Sequence, residues 1–207
     1  MTGKIGSGKT TLLKVLLGLL PAQGGKIYWN GELITDPAAF LRPPRCAYTG
    51  QVPRLFSESM RDNILLGLPE SQMDLQGSIS KSVLERDVSD MEAGLDTLVG
   101  SKGIRLSGGQ LQRTAAARMF VRDAELMIFD DLSSALDVET ERLLWERVFS
   151  ARSSDSFPTC LVVSHRRAVL RQADQIIVLK EGRVDDQGRL DELLQRNQEI
   201  NSLYLND

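Results

Sequence analysis

The chain opens on Gly3-Lys4-Ile5-Gly6-Ser7-Gly8-Lys9-Thr10, which fits G-x-x-x-x-G-K-[ST], and apolar residues at helical spacing (Leu12, Val15, Leu16, Leu19) follow at once. Nothing else in the sequence restricts the fold as much, because each position answers a physical need. Glycines let the backbone curl until consecutive N–H groups converge on an anion, and the N-terminus of the next helix adds partial positive charge. Gly3, Gly6, Ser7 and Gly8 form the cradle, and Lys9 is placed to reach the β- and γ-phosphates of a nucleotide. The Thr10 hydroxyl, with Thr11 beside it, is placed to ligate the Mg²⁺ that accompanies them. The dinucleotide pattern G-x-G-x-x-G is not met by these glycines.

The periodicity predicts a helix from Thr10 to Leu20, stopped by Pro21, Gly24 and Gly25. Lys26 to Trp29 reads as a strand turned by Asn30-Gly31, with Glu32 to Thr35 returning beside it, and Ala47 to Thr49 as a further strand. From Gln51 to about Arg105 the texture becomes polar and helical, with Ser57, Asp74, Ser80 and Ser89 as cap candidates. Gln110 to Val121 and Glu139 to Ala151 read as helices, and Leu126 to Phe129 and Cys160 to Ser164 as buried strands. Gln175 to Lys180 and Arg183 to Asp185 read as a hairpin before a last helix from Asp191. Alternating apolar strands and helices specify an α/β fold with a mostly parallel sheet and an inserted helical segment. The expected division is a core of residues 1–50 and 106–207 and a helical subdomain of residues 51–105.

Composition narrows the function. With 25 Lys+Arg against 28 Asp+Glu the net charge is −3, so no nucleic-acid partner is expected. The longest apolar stretch, Leu12 to Leu20, is interrupted by Lys14 and Gly18 and falls short of the roughly 20 residues a bilayer requires. Cys46 and Cys160 lack metal-site spacing and read as reduced core residues. Arg166, Arg167 and Arg171 read as a solvated helix face, and Arg113 as a local pair.

Four further motifs follow the loop in one order: Gln51 after a short strand, Leu106-Ser107-Gly108-Gly109-Gln110, an apolar strand ending in Asp130, and His165 after another apolar strand. With these motifs the chain resembles the nucleotide-binding domain of an ATP-binding cassette (ABC) transporter of exporter type, with a P-loop NTPase core. The resemblance implies ATP and Mg²⁺, with Thr10, Gln51 and Asp130 at the metal. It implies phosphate binding by Gly3, Gly6, Ser7, Gly8, Lys9, Thr10 and Thr11. Gln51 then matches the Q-loop, Asp130 the Walker B aspartate, His165 the switch histidine and Ser134-Ala135-Leu136-Asp137 the D-loop. Two such domains pair head to tail in this family, so Ser107, Gly109 and Gln110 would close over ATP held by a second cassette. Transmembrane domains outside this chain would hold it at the cytoplasmic face of a membrane, and Leu55 to Ile64 matches the exporter segment that docks on them.

Three departures qualify the resemblance. Asp131 stands where the family usually has a catalytic glutamate, one methylene longer, so slow hydrolysis at this chain's own site is expected. Thr97 to Gly103 lacks the glutamates of the exporter cross-linking loop. Only Met1 and Thr2 precede the phosphate loop, where the family has a buried strand and an antiparallel β-subdomain; an N-terminally truncated chain is expected, binding ATP weakly and folding poorly. Two alternatives remain open: a soluble ABC ATPase of DNA repair or translation, and a nucleotide-binding regulatory half with little hydrolysis.

Overall fold

The computed structural model describes residues 1–150, 152 and 157–205. The chain forms two compact units, Met1–Arg45 with Leu161–Asp207, and Cys46–Cys160.

In the first unit, helix α1 (Lys9–Leu16) is shorter than its apolar periodicity predicts. Gly18 adopts φ 69° and turns the chain, and the amides of Leu19 and Leu20 fold back onto the Lys14 carbonyl at 2.8 and 3.1 Å. Strands β1 (Ile27–Trp29) and β2 (Glu32–Ile34) pair antiparallel across Asn30-Gly31, as the turn dipeptide predicts. A short helix α2 (Pro37–Phe40) was not expected, although Asp36 followed by proline is a capping signal; Ala39 N–H donates to Asp36 Oδ1 at 3.1 Å. Phe40 takes the Trp29 ring edge-on and the Arg45 guanidinium over its face.

The second unit begins with β3 (Cys46–Thr49) and continues through α3 (Met60–Leu65), α4 (Leu75–Lys81), α5 (Glu85–Ser89) and α6 (Gly108–Phe120). It then runs through β4 (Leu126–Asp130) and α7 (Val138–Phe149) into β5 (Thr159–Val163). β3 and β4 are parallel, with Cys46 opposite Leu126 and Thr49 opposite Phe129. Residues 51–105 are helical as expected, but the caps differ. Asp74 caps α4, whereas Ser59 rather than Ser57 caps α3, Ser80 lies inside α4, and Ser89 is the last residue of α5. Ser57 instead shares a hydrogen bond with Ser101 at 2.7 Å.

Met60, Ile64, Leu75, Ile79, Leu84 and Val99 form a core completed by Ala117 and Val121. α6 therefore packs its small-residue face on the helical segment. On the other side Phe120, Phe129, Trp145 and Phe149 form a run of aromatic contacts with centroids 5.4–6.2 Å apart. The α7 cap is Asp137, and the predicted end at Ala151 lies outside the described residues.

The chain returns to the first unit with α8 (Arg167–Gln172), the hairpin β6 (Ile176–Lys180) and β7 (Arg183–Gly188), α9 (Leu190–Arg196) and α10 (Gln198–Leu205). The expected single last helix is two helices, because Asn197 leaves helical geometry and its Oδ1 accepts the Ile200 N–H at 3.0 Å. Leu170, Ile176, Val178, Leu193 and Ile200 are the core here. Both guanidinium groups of Arg167 and Arg171 lie near the Tyr204 ring and donate to its carbonyl and hydroxyl at 2.6 and 2.8 Å, and Arg171 is exposed, as expected of a solvated face.

Met1 and Thr2 occupy strand positions before the phosphate loop. The Met1 carbonyl accepts from Ser164 N–H at 3.2 Å, Thr2 N–H donates to Ile177, and Leu179 N–H donates to Thr2, so the pair is laddered on both sides with Thr2 fully buried. Among the described residues, no helix is long and apolar enough to cross a membrane. Both cysteines are free, as expected, Cys46 buried and Cys160 half-buried, and burial pushes both thiols up to about 11.

Candidate nucleotide-binding site

The phosphate loop is rooted by close backbone approach. A Cβ on Gly3 would lie 2.1 Å from the Leu179 carbonyl oxygen, so only glycine fits between the loop and β6. The loop closes through Ser7 N–H to Lys4 O at 3.1 Å and is tied to the β6–β7 turn by Gly182 N–H to Ser7 O at 3.1 Å. Lys9 folds back over it: Nζ donates to Gly3 O at 2.7 Å, Lys4 O at 2.8 Å and Ser7 Oγ at 3.3 Å. Thr10 and Thr11 lie in the first turn of α1, beside the amides that a helix leaves without partners. A glycine-bearing loop before a helix N-terminus, with an ammonium folded onto it, is chemistry suited to a polyphosphate. In the same unit His165 is exposed on the segment between β5 and α8.

The second unit carries the acidic and signature groups. Asp130 ends β4 almost wholly buried, and Tyr48 Oη donates to its Oδ2 at 3.4 Å. Burial, reinforced by the charge of Asp130, pushes the Tyr48 phenol up to about 12. Asp131 follows in the left-handed region, φ 56°, and its Oδ2 accepts from Gln51 Nε2 at 3.3 Å. The Asp131 carbonyl accepts from the Ser134 hydroxyl at 3.1 Å.

Ser107 begins α6 with a capping box: Gln110 N–H donates to Ser107 Oγ at 3.2 Å, and Ser107 N–H donates to Gln110 Oε1 at 2.9 Å. Gln110 Nε2 donates to Asp87 Oδ1 at 2.9 Å, so that amide is engaged within the chain while Ser107 and Gly108 remain exposed. Arg113, expected to pair locally, instead reaches Asp87 Oδ2 at 2.5 Å and the Val83 carbonyl. α6 projects this arginine across to α5, which spacing along one helix cannot reveal.

The structure thus brings Gln51 to Asp131, Ser107 to Gln110 and Lys9 to its own loop. Two further residues escaped the sequence reading: Asp87, and the buried Gln112, which gives both ends of its amide to Ser134 and Ala135. Neither carries a motif signal, since a glutamine inside a helix looks the same in sequence whether buried or solvated. Each unit carries a hard oxygen donor of the type Mg²⁺ selects, the Thr10 hydroxyl in the first and the Asp130 carboxylate in the second.

The ABC transporter family model matches residues 1–134. The chain belongs to the ABC transporter family. It is 36% identical over 197 residues to an ATP-dependent lipid A-core flippase of Burkholderia orbicola, covering 94% of this chain and 32% of that protein. It is 36% identical over 202 residues to the probable multidrug resistance ABC transporter ATP-binding/permease protein YheI of Bacillus subtilis, covering 95% of this chain and 33% of that protein. A solved structure of a bacterial Atm1-family ABC exporter with ATP bound is similar over 99% of this chain and 36% of its own, with TM-score 0.86 and 26% identity. The fold is accordingly the P-loop NTPase fold of an ABC exporter nucleotide-binding domain, and the chain spans about a third of the length of these relatives.

Proposed function

We propose that this ABC chain binds and hydrolyses ATP to power export across a membrane, at the cytoplasmic face, in a head-to-tail pair with a second cassette and in contact with transmembrane domains. The observation that carries the reading is that a polyphosphate cradle with its lysine in place, and a capped, exposed signature turn, occur in one chain. Exporter function is supported by the relatives' names and by Phe56. Its backbone is clamped by buried Asn63, which accepts the Phe56 N–H at 2.8 Å and donates to its carbonyl at 3.0 Å, and its ring is 60% exposed. Leu55 packs instead against the helical core, so Phe56 is the docking residue of the pair. A soluble ATPase of DNA repair or translation is not favoured, since the net charge is −3 and the matched relatives are named as transporters.

In this reading Gly6, Gly8 and Lys9 hold the phosphates, with Ser107 and Gly109 serving the nucleotide on the second cassette. Thr10, Gln51 and Asp130 would hold Mg²⁺, which would neutralise phosphate charge. Asp131, positioned by Gln51, orients water and takes its proton, and His165 donates to the transferred phosphoryl oxygens. Because the Asp131 carboxylate is one methylene short of the usual glutamate, hydrolysis here is slow, and the chain acts mainly through its signature on the other cassette's ATP. A regulatory half with little turnover is the same reading carried further, and Asp131 is what favours it.

The test is nucleotide binding to this chain. Wild type retains ATP in the presence of Mg²⁺ and Lys9→Ala loses it, whereas equal retention by both contradicts the assignment.

A further inference from the structure

Between the signature helix and the acidic end of β4, the second unit contains a polar connection that no motif describes. Gln112 lies on α6, two residues past the signature, and is 5% exposed. Its Nε2 donates to Ser134 Oγ at 2.8 Å and its Oε1 accepts from Ala135 N–H at 3.0 Å. Ser134 passes the connection on, donating its hydroxyl to the Asp131 carbonyl at 3.1 Å. The Asp131 side chain in turn meets Gln51 at 3.3 Å. Packing is tight at the same place: a Cβ on Gly108 would stand 3.3 Å from Ala135 Cβ, and one on Gly109 would stand 3.2 Å from the Ala135 carbonyl oxygen.

A buried amide earns its place only if both ends are satisfied, and Gln112 spends both on one loop. Asp131 is held in the left-handed region, where a non-glycine residue persists only when its surroundings over-determine it. The Ser134 hydrogen bond to its carbonyl is one such constraint, and Gln112 fixes Ser134.

We infer that Gln112 is a positioning residue: it locks the D-loop segment Ser134-Ala135 to the signature helix and thereby sets the backbone of Asp131. The inference rests on the functional reading above for its catalytic consequence, though not for the lock itself. The signature turn and Asp131 then move as one piece, so displacement of the signature is transmitted to the carboxylate.

Amide hydrogen exchange on the full chain tests the lock without requiring turnover. In Gln112→Leu the Ala135 N–H loses its acceptor and exchanges at least about tenfold faster, as loss of one hydrogen bond implies, while Ile128 in β4 is unchanged. Gln112→Glu keeps an acceptor and keeps Ala135 protected. Should Gln112→Leu fail to fold, Gln112→Met, which preserves length, carries the same expectation. Unchanged Ala135 exchange in the apolar variant, or equal acceleration in Gln112→Glu, overturns the inference. In the assembled transporter the apolar variant lowers kcat with KM within about twofold, and Gln112→Glu, which has no donor for Ser134 Oγ, does not restore it. An unchanged kcat in the apolar variant overturns the positioning role. Absence of turnover in the wild-type assembly contradicts the functional reading instead, and the exchange comparison then decides the lock.

Discussion

Gln51 Nε2 donates to Asp131 Oδ2 across 3.3 Å, joining the residue after β3 to the residue after β4. The two strands are parallel neighbours, so their C-terminal ends lie side by side, where an open α/β sheet places its chemistry. The Asp131 side chain has a donor on one oxygen, and its carbonyl accepts a hydroxyl.

The Asp87–Arg113 pair is the strut under the signature. Both side chains are about 15% exposed, and Asp87 also holds Gln110. Removing one partner leaves the other desolvated, so Arg113→Ala is expected to cost about 3 kcal/mol in a urea melt. A loss under about 0.5 kcal/mol, the range of an exposed pair, would show that the strut carries no weight.

Val83 sits at φ 58°, an unfavourable conformation for a β-branched residue, while its carbonyl accepts from Arg113. Val83→Gly relieves that backbone cost and, with the side chain only half-buried, is expected to raise stability by about 1 kcal/mol. A lower melting temperature than wild type would mean that side-chain packing outweighs the strain.

Much of this was legible in the sequence, for identifiable reasons. The phosphate loop, the Asn30-Gly31 hairpin and the α6 start at Ser107 were readable because glycine positions, turn dipeptides and caps act over a few residues. α1 was over-extended because Leu19 and Leu20 continue the apolar period past Gly18, and only the φ of that glycine ends the helix. Spacing along the chain does not reveal the partners of Arg113, Arg167 and Arg171, because long cationic side chains choose partners in three dimensions: Asp87 and Tyr204 are distant in sequence. Gln112 left no trace for the same reason.

At Gly3 a methyl group has nowhere to go, with the Leu179 carbonyl oxygen 2.1 Å from the added atom. Gly3→Ala is expected to abolish ATP binding, measured by titration of a fluorescent nucleotide, and to lower the melting temperature. Gly6→Ala, which meets no atom within 4 Å, serves as the sterically open comparison, although its φ of 82° still carries strain. Equal affinity for Gly3→Ala and wild type would show that the loop is not rooted on β6.

Alkaline pH is expected to destabilise the chain. Cys46 and Cys160 are raised to about 11 and Tyr48 to about 12 in the folded state, so the unfolded chain releases these protons first as pH rises. Their stabilisation is complete below about pH 8.5 and is lost progressively as pH rises through 11 to 12. Urea midpoints at pH 8 and pH 10.5 check this; a midpoint that rises with pH contradicts it.

In the proposed function this cassette binds ATP but hydrolyses it slowly, because the Asp131 carboxylate is one methylene shorter than a glutamate's. Single-turnover hydrolysis in the assembled transporter, comparing wild type with Asp131→Glu, tests it most directly. The expected result is a rate increase toward about 10²-fold in Asp131→Glu, the cost of misplacing a catalytic group by an ångström. An unchanged or lower rate in Asp131→Glu would contradict it.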